Sequence, residues 1–278
     1  MGKAIRKASL VHAALLMFAF IVPAIGANFK VLDGITGYKP EPISSPDKLE
    51  IIYSDSLWGP KPTENAGLPW PPKDLSPADE KRIQDLAKTW VEKKIPLVCL
   101  DFEDWPVQGD DATIRESIGK FKKVLDLIRE AAPDVKVGIY GTLPVRDVYR
   151  AIKDPSSQAY QDWQVENERL KPLAQLVDVI FPSLYTMTTD PQIWKAFALS
   201  NLRQAKLYGK PVYAFIWPRY HDSIKLLAWT FLPKAYWEME LQTVKEQADG
   251  AVIWDFGKWK PWDEQAVWWQ STLSILGK

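Results

Sequence analysis

The chain has 278 residues, of which 46% are hydrophobic, and it carries 35 basic and 35 acidic side chains. This length supports one large core, and (β/α) barrels often reach it undivided. The balanced charge, without a long basic patch, gives no support for a nucleic-acid partner. One cysteine and two histidines argue against zinc sites, Cys-His nucleophiles and Ser-His-Asp triads, so no metal or cofactor is predicted.

The first 27 residues have the pattern of a signal peptide. Lys3, Arg6 and Lys7 precede an apolar run over residues 10–25, and small residues end the segment. This pattern predicts a secreted or periplasmic protein whose residues 28–278 form a single catalytic domain. The alternative is that the segment is retained as a membrane anchor. No other membrane contact is predicted, and the sequence does not indicate an oligomeric state.

Strand and helix patterns alternate along the rest of the chain. Ser76, Pro77 and Asp79 mark a helix start, as an N-cap, a first-turn proline and an early acid. Further helices are predicted over residues 111–132, 144–153, 156–176, 191–208, 233–248 and 263–276. Seven short apolar runs predict strands, over residues 29–33, 49–53, 96–103, 135–140, 177–185, 211–217 and 250–255.

This alternation predicts an α/β fold with a parallel sheet whose strands are covered on both faces. The sheet can close into a (β/α) TIM-like barrel or stay open and doubly wound. No glycine-rich phosphate turn follows the first strand, which argues against the open nucleotide-binding form. Acids, tyrosines and tryptophans fall at strand C-termini, which meet on one rim of a barrel, so a barrel of about seven strands is predicted.

Two acids end the predicted third strand, in "IPLVCLDFEDW". Asp101 and Glu103 are two residues apart, so both face the barrel axis together with Leu97 and Cys99. Two carboxyls in a dry pocket cannot both ionise easily, and one pKa rises. A protonated Glu with an ionised partner can cleave a glycosidic bond. The structural alternative is that the acids cap a helix or pair with an arginine.

Aromatic residues are abundant, with 14 tryptophans and 10 tyrosines. Sugar rings pack on flat aromatic faces, while indole N–H and phenol O–H groups bond hydroxyls. Tryptophans in loops and at strand ends are therefore predicted to line a sugar groove, and Tyr185 to bond a substrate oxygen. The groove set includes Trp58, Trp105, Trp217 and Trp254.

The block "CLDFEDW" resembles the D-x-E-x-W signature of the hyaluronidase family of glycoside hydrolases, and "VIFPSLYTM" and "GAVIWDF" follow in matching order. The resemblance implies a distorted barrel with fewer than eight regular strands and a substrate-assisted, retaining mechanism. It makes Glu103 the general acid/base. Asp101 and Tyr185 then hold the substrate's N-acetyl group, Trp254 walls the pocket, and Tyr140 matches a family tyrosine.

The predicted function is an exported glycoside hydrolase that cleaves an N-acetylhexosamine-containing polysaccharide or oligosaccharide. Asp255 follows Trp254 directly, where the family usually has a small residue. Asp255 can therefore be a second carboxylate in the substrate site. In this alternative, Glu103 and Asp255 form an acid/nucleophile pair that cleaves a non-acetylated glycan. The remaining alternative is a non-catalytic carbohydrate-binding envelope protein on a degenerate barrel.

Overall fold

The computed structural model describes residues 29–37, 48–59, 61, 72, 74–257 and 261–276, so the predicted signal peptide lies outside the described residues. Within these ranges the strands are β1 (Lys30–Thr36), β2 (Leu49–Tyr53), β3 (Leu97–Asp101), β4 (Lys136–Tyr140), β5 (Val179–Phe181), β6 (Tyr213–Ile216) and β7 (Gly250–Phe256). The helices are α1 (Ser54–Trp58), α2 (Pro77–Glu92), α3 (Asp111–Ala131), α4 (Gln158–Arg169), α5 (Lys171–Leu176), α6 (Pro191–Lys206), α7 (Lys234–Gln247) and α8 (Val267–Leu276).

The strands are parallel and form two ladders, β2-β3-β4-β5 and β1-β7-β6. Single parallel bridges join the ladders between β5 and β6, at Ile180 with Val212 and at Ser183 with Phe215. The resulting order, β2 to β7 and then β1, is that of a barrel with seven staves. The predicted α/β barrel fold is confirmed.

Between β1 and β2 no backbone bridge is present among the described residues. The two strands are nevertheless neighbours, since a Cβ atom added to Gly34 would lie 3.3 Å from Cδ1 of Ile51. Side-chain packing rather than hydrogen bonding closes the barrel here. The barrel thus has fewer than eight regular strands among the described residues, as the resemblance implies.

Alternate residues of the staves fill the barrel interior. The inward residues pack into one apolar cluster, and the outward residues pack under the helices in a second, larger one. Gly138 leaves room for a large neighbour, because a Cβ atom there would lie 2.6 Å from the ring of Phe181. The interior cluster comprises Leu32, Leu97, Cys99, Tyr140, Val179, Phe181, Tyr213, Phe215 and Val252.

Most predicted helices are present, and α2 begins at the expected capping box, in which Ser76 and Asp79 bond each other's backbone N–H groups. No helix within the described ranges is long and apolar enough to cross a bilayer. The predicted helix over residues 156–176 is interrupted at Leu170. Pro172 has no N–H to donate to the preceding turn, so α4 ends at Arg169 and α5 starts afresh at Lys171.

The helix predicted over residues 144–153 is wrong, since this segment consists of turns. The Asp147 carboxylate accepts hydrogen bonds from the backbone N–H groups of Tyr149 and Arg150, at 3.0 and 2.8 Å. An aspartate that captures backbone donors in this way favours a turn over a continued helix. Arg150 then pairs with Asp147 and Glu166, which ties the turn to α4.

A buried carboxyl on α7 makes the stability of the fold depend on pH. Glu240 is fully buried, and Oγ1 of Thr186 donates to its Oε1 at 2.6 Å. Its Oε2 has no hydrogen-bond partner among the described residues. Burial raises the pKa of Glu240 well above its usual value, so the folded protein holds this carboxyl neutral.

We expect Glu240→Gln to remove this pH dependence. In the wild type the folded state keeps a proton that the unfolded chain loses above the ordinary glutamate pKa, so stability falls as the pH rises. Gln cannot titrate. As the pH rises, the free energy of unfolding of Glu240→Gln should therefore increase relative to that of the wild type, by up to about 1.4 kcal/mol per pH unit. Urea unfolding at a series of pH values measures the difference.

The exposed Glu246 on the same helix provides the control, and Glu246→Gln should show no such trend. A difference between Glu240→Gln and the wild type that stays constant from mildly acidic to mildly alkaline pH would contradict the burial of a neutral Glu240.

Candidate active site

The carboxyl pair after β3 is divided between the barrel interior and the solvent. Asp101 ends β3 on the inward face, above Leu97 and Cys99, and is half-buried. The predicted strand runs on to Glu103, whereas the observed strand stops at Asp101, and the side chain of Glu103 is 53% exposed. The two acids act on each other electrostatically but occupy different environments.

The raised pKa, which the prediction gave to the glutamate of the pair, is that of Asp101. Burial, together with the negative charge of Glu103, raises the pKa of Asp101 to about 7, and the charge of Arg146 opposes this rise. Asp101 therefore keeps a proton at mildly acidic pH, beside a solvent-exposed carboxyl that can exchange it.

Arg146 links the exposed acid to the barrel rim. Its Nη2 lies 3.3 Å from Oε2 of Glu103, and its Nη1 donates to Oγ of Ser183 at 3.3 Å. Ser183 is also hydrogen-bonded to the hydroxyl of Tyr140, at 2.9 Å. This chain of contacts fixes the orientation of the Glu103 carboxyl toward the mouth of the barrel.

Sequence reasoning assigned no role to Arg146 or Ser183. Arg146 lies in the turn segment that was predicted as a helix, so its side-chain direction was not readable. Ser183 could have been found, because it lies between Phe181 and Tyr185 in the alternation of inward residues after β5.

Three aromatic side chains that were predicted to line a groove lie together and form an aromatic wall. Tyr185 and Trp254 are stacked, with centroids 5.6 Å apart and an interplanar angle of 30°. Trp217 contacts both, at 5.5 Å from Tyr185 and 5.0 Å from Trp254. Tyr140 lies 5.8 Å from Tyr185 and completes the set on the side of the acids.

Phenol groups bring hydrogen-bonding capacity to this wall. Nε1 of Trp254 donates to the hydroxyl of Tyr53 at 3.0 Å. Burial raises the pKa values of Tyr53, Tyr140 and Tyr185, so these hydroxyls stay protonated. Tyr53 was not predicted as a site residue, although it ends β2 two residues after the inward-facing Ile51.

Trp58 and Trp105 are not brought together with this wall. They lie 5.6 Å apart, are 7% and 5% exposed, and pack with Phe102 and Phe121. The chain leaves the barrel after Asp101, which turns Phe102 and Trp105 toward the helices. Their main role is in packing, and of the two only Trp105 also borders the cleft.

Asp255 is held inside the protein by two neighbours. It is fully buried, and its Oδ1 accepts from Nε of Arg219 at 2.8 Å and from Nε1 of Trp217 at 2.9 Å. Nη2 of Arg219 reaches the other oxygen at 3.2 Å. The carboxylate of Asp255 is therefore hydrogen-bonded to protein groups rather than to solvent. The same bonds hold the indole of Trp217 in place.

A cleft of ≈ 210 Å³ opens between the segments that follow β3 and β4. Glu103, Tyr140 and Arg146 line it, with Trp105 and Val107 on one side. Pockets that enclose a whole small ligand usually measure about 300–1,000 Å³, so a ligand seated here would extend beyond this cleft.

We expect Asp255→Asn to destabilise the fold. The substitution leaves the guanidinium of Arg219, whose side chain is only 14% exposed, without its charge partner. Removing one partner of a buried ion pair costs about 3–5 kcal/mol, measured here as the free energy of urea unfolding. The double variant with Asp255→Asn and Arg219→Met should lose less free energy of unfolding than the sum of the losses in the two single variants. A loss below about 1 kcal/mol in Asp255→Asn, as for an exposed pair, would show that the ion pair is not structural.

Comparison with known proteins finds no matching family model and no match among curated sequences. Solved structures do match. Bee venom hyaluronidase is 16% identical, with a TM-score of 0.58 over 90% of this chain and 96% of that chain. The same enzyme in complex with a hyaluronic acid tetramer gives a TM-score of 0.56 over 82% and 83%, also at 16% identity. The resemblance predicted from the "CLDFEDW" block is thus confirmed at the level of structure: the chain has the fold of a hyaluronidase-type barrel.

Proposed function

We propose that this protein is a glycoside hydrolase that cleaves an N-acetylhexosamine-containing polysaccharide by a substrate-assisted, retaining mechanism. One observation carries the proposal: Asp101, with a pKa of about 7, and Glu103 lie at the C-terminal mouth of a parallel barrel, beside the stacked rings of Tyr185 and Trp254. The hyaluronidase-type fold supports it, since barrels of this kind keep their chemistry at that rim.

Glu103 is the general acid. Its exposed carboxyl reaches a glycosidic oxygen in the cleft, donates its proton to that oxygen and receives the proton from Asp101, which is left ionised. Arg146 orients the carboxyl and stabilises the charge left after the proton transfer. Once the aglycone has departed, the same carboxylate removes a proton from the incoming water.

Asp101 and Tyr185 position the N-acetyl group of the substrate. The carboxyl of Asp101 accepts from the amide N–H, while the protonated hydroxyl of Tyr185 donates to the acetamido group. The acetamido carbonyl oxygen attacks the anomeric carbon as the bond to the leaving oxygen breaks. The face of Trp254 supports the sugar ring. This route needs no protein nucleophile.

The engagement of Asp255 by Arg219 and Trp217 supports this mechanism over an acid/nucleophile pair. A nucleophilic role would require the carboxylate to leave a buried ion pair, at considerable electrostatic cost. The signal-peptide pattern in residues 1–27 further leads us to propose that the enzyme is exported and acts on its glycan outside the cytoplasm.

Release of reducing ends from a panel of acetylated and non-acetylated polysaccharides tests the proposed function. We expect activity on N-acetylated glycans only, and a loss of about 10²–10⁴-fold in Glu103→Gln, as for removal of a general acid. Asp104→Asn is the matched control, because Asp104 is an exposed acid one residue further on that bonds Ser54.

Cleavage of non-acetylated glycans would overturn the substrate-assisted mechanism. Binding without turnover, equal in the wild type and in Glu103→Gln, would indicate the carbohydrate-binding alternative.

The pH profile of kcat/KM should report the proton of the acid pair. Asp101 is protonated below its pKa of about 7, and above this pH it has no proton to pass to Glu103. Activity is therefore expected to fall as the pH rises through about 7. In Asp101→Asn this alkaline limb should move, because the coupled carboxyl is gone. An unchanged limb in that variant would assign it to another group.

A further inference from the structure

An exposed tryptophan extends the aromatic wall beyond the catalytic pocket. Trp229 is 45% exposed and lies 5.3 Å from the ring of Phe256 and 5.5 Å from that of Trp217. Phe256 in turn lies 5.2 Å from Trp254, which is stacked on Tyr185. The rings thus form a continuous series that starts at the proposed bond-cleavage site and ends at the surface.

The backbone of Trp229 adopts a conformation that its residue type disfavours. Its φ of +70° lies in the left-handed region, where a side chain crowds the backbone and glycine is preferred. Packing alone does not account for a bulky residue at this position, because nearly half of its side chain faces solvent. Strained residues that persist in a fold are held there by their surroundings and often mark functional positions.

Arg219 holds this conformation from inside the protein. Its Nη1 donates to the carbonyl oxygen of Trp229 at 3.0 Å, while its Nε and Nη2 bind Asp255. The N–H of Trp229 donates to the carbonyl of Tyr220, also at 3.0 Å. The carboxylate of Asp255 therefore fixes two rings of the series, Trp217 directly and Trp229 through Arg219.

We propose that Trp229 is a platform for a pyranose ring of the glycan outside the cleaved bond, and that Asp255 and Arg219 are its positioning residues. This inference rests on the proposed function for the identity of the glycan. It adds a binding site for a further sugar, two ring contacts away from Trp254. Sugar rings stack on such exposed aromatic faces through their C–H groups. The cleft beside Glu103 is too small to hold an extended chain, which agrees with an additional site.

The test uses the Glu103→Gln background, in which oligosaccharides should bind without being cleaved. Trp229→Gly removes the indole and suits the left-handed backbone, so relief of the backbone strain offsets the packing that is lost with the ring. Calorimetry then measures the affinities of N-acetylglucosamine and hyaluronan oligosaccharides of increasing length. In the parent, the longest oligosaccharides should bind more tightly than the shortest. We expect this gain in affinity to be roughly tenfold smaller in Trp229→Gly, whereas Trp229→Phe should retain most of the gain.

Leu226→Ala is the matched control, since Leu226 is the most exposed apolar residue of the same loop and makes no ring contact. It should leave the dependence of affinity on oligosaccharide length unchanged. Equal length dependence in Trp229→Gly and its parent would overturn the platform while leaving the proposed hydrolase intact. If binding depends on oligosaccharide length and requires Trp229, but the wild type cleaves none of these glycans, the platform would be upheld and the proposed hydrolase overturned. Absence of binding to all of them would overturn the platform.

Discussion

The alternation of side chains along parallel strands is the constraint on which this site depends. Each stave of the barrel places every second residue inside, and the last inward residues of neighbouring staves meet at one mouth. Asp101 from β3, Tyr140 from β4 and Trp254 from β7 arrive there by the same rule, although they are far apart in the chain. A shift of one residue in any stave would turn its contribution out toward the helices.

Differences in burial divide the work between the two acids. Asp101 remains inside the barrel mouth, where burial and the charge of Glu103 favour its protonated form. Glu103 lies beyond the end of the strand, exposed and in contact with Arg146. One carboxyl therefore holds a proton inside the barrel mouth while the other faces the solvent, and the end of β3 between them produces this separation.

The aromatic wall depends on the buried charges of Asp255 and Arg219. Asp255 bonds both the indole of Trp217 and the guanidinium of Arg219, and Arg219 holds the backbone of Trp229. Burying this ion pair has an electrostatic cost that a hydrophobic pair would avoid. The same region keeps a non-glycine residue at positive φ. Both features are understandable if the position of these rings serves ligand binding rather than stability.

Periodicity and residue chemistry by themselves determined the barrel, the acid pair and most of the wall. Apolar runs mark staves because both of their faces are covered, and alternation places Asp101 inside, whereas Glu103 lies past the end of the strand. Tertiary structure decided what depends on contacts across the chain. Asp147 captures backbone donors and converts a predicted helix into the turn that brings Arg146 to Glu103. Asp255 is bound by Arg219, and Trp58 and Trp105 pack against Phe102. No local sequence pattern specifies these partners.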